Sequence, residues 1–186
     1  CSMRLALAAV ALTCCTMTAA AQDAPRFQPS GRGTSQVTLM TSDANATPRV
    51  IRLDWGQPHL RGRALHTDSL VPYDQIWRTG ANDATTLHTD FDLTLGSAKI
   101  AKGSYIVFSM PTRAGWRLIL QTNRGQSIGG YQAANDAARI PMQLRTLAVP
   151  VEAFTMWLVP AASGLAGELR MAWGTQELSV PWTAKP

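Results

Sequence analysis

Gly-Ser-Tyr-Ile-Val-Phe-Ser-Met-Pro at residues 103–111, followed by Gly-Trp-Arg-Leu-Ile-Leu-Gln at residues 115–121, is the stretch that decides the fold class of this chain. Residues 103–111 carry apolar side chains on both faces of an extended chain, as expected of a strand in the centre of a sheet. A short connection that ends at Gly115 separates the two apolar runs. The segment therefore predicts an antiparallel β-hairpin.

Shorter runs on both sides of this hairpin alternate between apolar and polar residues. For example, Ile51, Leu53 and Trp55 share one face of an extended chain, and Arg52 and Asp54 share the other. A period of two residues is typical of a half-buried strand. Further strands are predicted at residues 87–95, 140–147, 151–159, 168–173 and 177–182.

The number and spacing of these runs predict an all-β fold. About nine or ten short strands without a long helical period fit an antiparallel β-sandwich or a jelly-roll-like barrel, with minimal helix. The dipeptide Gly174-Thr175 predicts a tight turn between the last two strands. Single helical turns fit at residues 72–77 and 131–138, and they are too short to form a layer of their own.

The N-terminal residues 1–21 predict a signal peptide. Arg4 precedes the apolar run 5–12, and Ala19-Ala20-Ala21 provides an A-x-A cleavage site. This apolar run is too short to cross a bilayer, so we expect no transmembrane span. Residues 22–34, rich in proline and glycine, predict a flexible arm, and residues 35–186 predict a single β-sandwich domain.

The positions of the cysteines and of the charged residues restrict where the protein is expected to be located and which chemistry it can perform. Cys1, Cys14 and Cys15 all lie before residue 22, so a processed chain has no disulfide and no cysteine nucleophile. We expect a periplasmic or secreted protein; a lipoprotein anchored at Cys15 is the alternative. The net charge of +5 comes from scattered residues, and we expect no nucleic-acid partner.

Other familiar chemistries have little support in the sequence. His59, His66 and His88 lack the spacing that presents two metal ligands on one face, so we expect no metal and no cofactor. There is no G-x-S-x-G motif around a serine nucleophile.

The segment 70–86 has the densest concentration of polar and aromatic side chains, and it predicts the site. The candidate ligand-binding residues are Arg63, Tyr73, Trp77, Arg78, Asn82, Thr85 and Thr86. In a functional interpretation, the Arg78 guanidinium binds a small acidic ligand or a cell-envelope component through its planar fork. In a structural interpretation, Arg78 is buried against loop carbonyls and Asn82 caps a turn. The sequence leaves both interpretations open.

The same segment carries a family resemblance. Trp55-Gly-Gln-Pro58, Leu70-Val-Pro-Tyr73 and Trp77-Arg-Thr-Gly-Ala-Asn82 follow one another in an order that resembles the DUF2911 family. The resemblance continues through Gly130-Tyr131 to Trp182 and covers roughly residues 35–182. It implies an exported bacterial, β-rich domain of unknown function.

Three functions fit these observations. The first is a non-catalytic module that binds a ligand or a component of the cell envelope. The second is an envelope hydrolase or transferase that uses the region of Arg63, Arg78 and Asn82, and the third is a purely structural interaction module. The catalytic residues and the oligomeric state are not determined by the sequence.

Overall fold

The structure is a computed structural model that describes residues 25–43, 45–122 and 130–185. The predicted signal peptide and all three cysteines lie outside the described residues. Within the described residues there are nine strands and one short 3-10 helix, Ala133–Asn135. The strands are β1 Gly31–Thr38, β2 Val50–Gln57, β3 Thr86–Thr89, β4 Asp92–Leu95, β5 Ala98–Ile100, β6 Gly103–Thr112, β7 Gly115–Thr122, β8 Asp136–Pro160 and β9 Ala166–Lys185.

All strand pairs are antiparallel and form one sheet in the order β1-β2-β3-β6-β7-β8-β9-β4-β5. The sheet is not closed into a barrel, so the predicted all-β, sandwich-like fold is confirmed. The predicted hairpin is β6 and β7, in which Val107 pairs with Leu120 and Thr112 with Gly115. Val107 and Leu120 are fully buried, which is why this part of the chain is apolar on both faces.

The two long strands, β8 and β9, divide the sheet into two halves that face each other. Residues 136–142 of β8 pair with β7, whereas residues 143–160 pair with β9, whose end pairs with β4. The two halves meet where Trp55 Nε1 donates to the Phe154 carbonyl at 3.3 Å and the Leu158 N–H donates to Ser35 Oγ at 2.9 Å. One apolar core fills the space between the halves.

The predicted turn at Gly174-Thr175 was wrong, because β9 runs continuously through it. Gly174 has a φ of 57°, and the pairing register of β8 and β9 shifts between Thr146 and Val151 and again before Thr155. A left-handed residue combined with a register shift bends a strand without reversing it. The runs 140–147 and 151–159 are likewise joined in β8.

The domain begins earlier than the alternation predicted. Residues 31–34 of the predicted flexible arm 22–34 belong to β1, where Gly31 pairs with Gln57. A Cβ on Gly33 would lie 2.4 Å from the Trp55 ring, so this glycine permits close packing of the indole. The glycines at the end of the predicted arm thus permit a tight contact. Glycines occur both in such contacts and in flexible segments, so the sequence alone does not distinguish the two.

Candidate functional site

The predicted site segment is anchored in the core by Trp77. Its ring is 9 % exposed, stacks on Trp173 at a centroid distance of 5.5 Å, and meets Phe154 edge-on at 5.0 Å. Its backbone N–H and carbonyl bond to the carbonyl and N–H of Ser109 at 2.7 and 2.8 Å. Trp77 therefore packs as a core residue and attaches the segment to β6.

Buried hydroxyl groups fix the turn that follows Trp77. Thr79 has a φ of 53° and donates to Ser109 Oγ at 2.9 Å, and Thr85 donates to the Thr79 carbonyl at 2.6 Å. Both threonines are fully buried. A Cβ on Gly56 would lie 1.8 Å from the Ala81 carbonyl oxygen, so β2 and the turn are in direct backbone contact. Each of these hydroxyl groups has a hydrogen-bond partner within the protein, which indicates a structural role.

Asn82 and the two arginines lie in different surroundings. Asn82 donates to the Ser30 carbonyl at 2.8 Å, and Arg63 donates to the carbonyls of Leu60 and His59 at 2.8 and 2.7 Å. Arg78 is exposed, and its Nε lies 3.4 Å from the Gly80 carbonyl oxygen. Arg63 thus braces its own loop, as the structural interpretation had predicted for Arg78, and Arg78 is held only weakly.

Tyr73 belongs to an aromatic cluster with His66 and Trp116. Its ring stacks on the His66 imidazole at 4.1 Å, and His66 lies 5.7 Å from Trp116. His66 Nδ1 is 3.0 Å from the Val71 carbonyl, which can only accept, so this nitrogen carries the hydrogen. Nε2 then accepts from the Gln176 amide at 3.0 Å, and the Gln176 oxygen accepts from Trp116 Nε1 at 2.8 Å. This chain of bonds is complete.

The recorded contacts of the seven predicted residues place them in several different surroundings. Trp77 and Thr85 are buried, Thr86 lies in β3 opposite Asp54 and Ile106, and Tyr73 belongs to the His66 cluster. The recorded hydrogen bonds of Arg63, Arg78 and Asn82 go to separate backbone groups. Convergence of Arg63 on Arg78 finds no support in these contacts.

A cleft that sequence reasoning missed opens at one end of the sandwich, between β1 and the connection of β8 to β9. Its volume is about 380 Å³ and its wall is mostly apolar. Lining residues include Val37, Leu39, Ile51, Phe91, Leu165 and Trp182. These residues are spread over most of the chain, so only knowledge of the strand pairing could have brought them together.

Trp182 is the unusual residue of this cleft, which we call the Trp182 cleft. Its side chain is 5 % exposed, and its Nε1 is the one buried side-chain polar atom within residues 25–43, 45–122 and 130–185 that has no hydrogen-bond partner. A Cβ on Gly167 would lie 2.5 Å from the indole, so backbone packing holds the ring in place. An unpaired buried donor is destabilising by roughly 1–3 kcal/mol.

A second concavity is a polar groove of about 490 Å³. Arg49, His88, Asp90 and Lys102 line it. The Arg49 guanidinium lies 4.2 Å above the ring of Phe91, and it donates to the Asp90 carbonyl at 2.9 Å. Since Phe91 lines the Trp182 cleft, the Arg49–Phe91 pair separates the apolar cleft from the polar groove.

The groove also contains a row of three hydrogen-bonded side chains. Ser104 Oγ lies 3.0 Å from His88 Nδ1, and Asp90 Oδ1 lies 3.1 Å from His88 Nε2. The Val50 N–H donates to Asp90 Oδ2 and holds the pKa of this carboxyl below its ordinary value; the His88 side chain lowers the pKa further. An ionised Asp90 places the hydrogen on His88 Nε2 and leaves Nδ1 to accept from Ser104.

The strands that carry this row, β3 and β6, do not supply the other half of an acyl-transfer site. Such a site needs N–H donors aimed at the oxyanion that develops in the transition state. β3 and β6 are both interior strands, so their amides bond in the plane of the sheet, away from side chains on its face. The signal available in the sequence was His88 and Asp90 two residues apart, but Ser104 joins them only through strand register.

These features define a class: a sandwich-like all-β domain with an apolar cleft at one end and a well-packed segment at residues 70–86, which we call the signature segment. The chain matches the family described as protein of unknown function DUF2911 over residues 37–182, and it belongs to that family. The predicted resemblance is confirmed. No curated protein and no solved structure matches the chain.

Two further findings concern the described part of the chain. None of its helices is long and apolar enough to span a membrane. Its His, Cys, Asp and Glu side chains form no group of three or more that could hold a metal ion.

Proposed function

We propose that this protein is an exported, non-catalytic binding module that holds a small apolar molecule in the Trp182 cleft. The observation that carries the proposal is the cleft itself, which is about 380 Å³ in volume, mostly apolar, and has the Trp182 indole in its wall. A ligand in the cleft would lie with its apolar part against Val37, Leu39 and Leu165.

The dimensions and chemistry of the cleft favour a small molecule over a flat protein surface. Ligand sites are typically concavities of about 300–1,000 Å³ with apolar walls and a few polar groups. The cleft, at about 380 Å³, falls within that range.

Export is part of the proposal because of the N-terminal sequence. The A-x-A site at residues 19–21 would release a chain without cysteine. A fold with a single large core and no thiol is compatible with an oxidising compartment. The mass of the exported protein tests this: it should begin at Gln22, and a diacylated mass beginning at Cys15 would establish the lipoprotein alternative.

A displacement assay tests the cleft. N-phenyl-1-naphthylamine, a neutral fluorophore that brightens in apolar sites, is bound first, and N-dodecanoylethanolamine is added as a competitor with one amide carbonyl. We expect binding of the fluorophore, displacement by the amide, and loss of both in Ala184→Phe, which fills the cleft. Ala148→Phe adds the same ring at an exposed position of β8 and should bind normally. Absence of fluorophore binding to the folded wild type would refute the proposal.

The Ser104–His88–Asp90 row favours a second candidate, an envelope hydrolase. Its test is labelling with a fluorophosphonate, which reacts with activated serine nucleophiles. Labelling of Ser104 that disappears in Ser104→Ala and His88→Ala would support the hydrolase over the binding module. We expect no labelling that depends on Ser104, because the amides of β3 and β6 bond in the plane of the sheet and do not face it.

A further inference from the structure

We infer that the ligand of the Trp182 cleft is an anionic amphiphile and that Arg49 binds its charged head group. The inference rests on the proposed function and deepens it. It follows from the position of Arg49 on the border between an apolar and a polar concavity.

The border is a single pair of side chains. Phe91 is 4 % exposed and lines the cleft, and the Arg49 guanidinium covers its ring at 4.2 Å. Arg49 also lines the polar groove, so this pair of side chains joins one residue of each concavity. An amphiphile matches this change from an apolar wall to a charged one.

The charges of the groove favour an anion. Arg49 and Lys102 line it and form no ion pair with a carboxylate of the described residues. The acidic residue that faces them is Asp90, whose two oxygens already accept from Val50 and His88. Two cations therefore face one carboxylate that already has hydrogen-bond donors.

The chemistry of the cleft and of its border specifies the two parts of the ligand. The mostly apolar wall of the cleft suits an acyl chain. The Arg49 fork at the border suits a carboxylate or a phosphate. The ligand class is thus an acyl chain with an anionic head, as in N-acyl amino acids or monoacyl phospholipids.

A matched pair of competitors tests the head group. N-dodecanoylglycine and N-dodecanoylethanolamine share the chain and the amide carbonyl, and only the former is ionised at pH 7.5. We expect N-dodecanoylglycine to displace the fluorophore from wild type at about tenfold lower concentration, which corresponds to one favourable, partly desolvated charge contact. Arg49→Gln should remove this preference, so that the two amides displace the fluorophore at similar concentrations. A monoacyl phosphatidic acid added as a third competitor distinguishes a phosphate head from a carboxylate head.

Two variants keep the test decisive. Arg117→Gln removes the same charge from an exposed position of β7 and should retain the preference. Arg49→Lys keeps the charge and should retain a reduced preference, even if Arg49→Gln loosens the contact with Phe91. Equal displacement by both amides in wild type, or a preference that survives in Arg49→Gln, overturns the head-group inference and leaves the cleft proposal standing. Failure of the fluorophore and both amides to bind overturns the cleft proposal itself.

Discussion

The signature segment 70–86 and the Trp182 cleft are opposites in how their polar groups are satisfied. In the segment, Thr79 and Thr85 are fully buried and their hydroxyls have protein partners. In the cleft, a buried indole N–H has none. The comparison teaches that a dense cluster of recognisable residues can hold a loop in place, while a concave apolar surface can be built from residues scattered along the chain.

The largest expected effect is on the signature segment. Trp77→Ala removes a ring that contacts Trp173 and Phe154, and it should lower the free energy of unfolding by about 3–5 kcal/mol. Urea denaturation measures the change. Trp157→Ala, at a half-buried position of β8, is the matched control and should be much milder. Similar losses in the two variants would contradict the anchoring role of Trp77.

The next effect isolates one hydrogen bond of the segment. Thr85→Val keeps the shape of the side chain but leaves the Thr79 carbonyl without the 2.6 Å bond, and it should destabilise the fold by about 1–3 kcal/mol. The neighbouring Thr86→Val, at a half-buried strand position, should change stability by less than about 0.5 kcal/mol. If the two thermal melts coincide, the buried hydroxyl does not brace the turn.

Trp173 and Trp182 allow a bonded and an unpaired indole N–H to be compared by the same type of substitution. Trp173 Nε1 donates to the Glu152 carbonyl at 3.0 Å, whereas Trp182 Nε1 has no partner. Replacement by Phe therefore breaks a bond at Trp173 and removes an unpaired donor at Trp182. Trp173→Phe should be more destabilising than Trp182→Phe by about 1 kcal/mol, as measured by urea denaturation. The reverse order would show that Trp182 Nε1 is already satisfied.

The smallest effect concerns Arg78, for which the sequence left two roles open. Its guanidinium is exposed and its backbone bond is long, so Arg78→Lys should change the unfolding free energy by less than about 0.5 kcal/mol. Thermal melts of the two proteins measure this, with Arg63→Lys as a comparison in which two short carbonyl bonds are disturbed. A large shift at Arg78 would restore its predicted role as a brace.

The sequence was sufficient to predict the strands because burial produces a local pattern of apolar residues along the chain. Val107 and Leu120 are buried on a central hairpin, and the apolar runs at 103–111 and 115–121 report this directly. The prediction of a turn at Gly174 was wrong because a left-handed glycine occurs both in turns and in bent strands. Which of the two it forms depends on the register between β8 and β9, which is a tertiary property.

The site was harder to predict for a related physical reason. Trp77 and Thr85 stand out in the sequence, but a fully bonded polar group and a ligand-binding one use the same residue types. Phe91 and Trp182 looked like ordinary core residues on the apolar faces of strands. Whether an indole N–H finds a partner depends on the backbone around it, here the close approach of Gly167, and no local pattern encodes that contact.

The most direct test of the Trp182 cleft observes the indole N–H groups themselves. In ¹⁵N-labelled protein, each of the six tryptophans gives an indole resonance, and Trp182→Phe assigns the one that matters. On titration with N-dodecanoylethanolamine, we predict a change in the chemical shift of the Trp182 indole proton, because the ligand packs against its side chain, while the Trp77 and Trp173 resonances stay in place. A shift confined to Trp77 would locate the ligand at the signature segment and contradict the account.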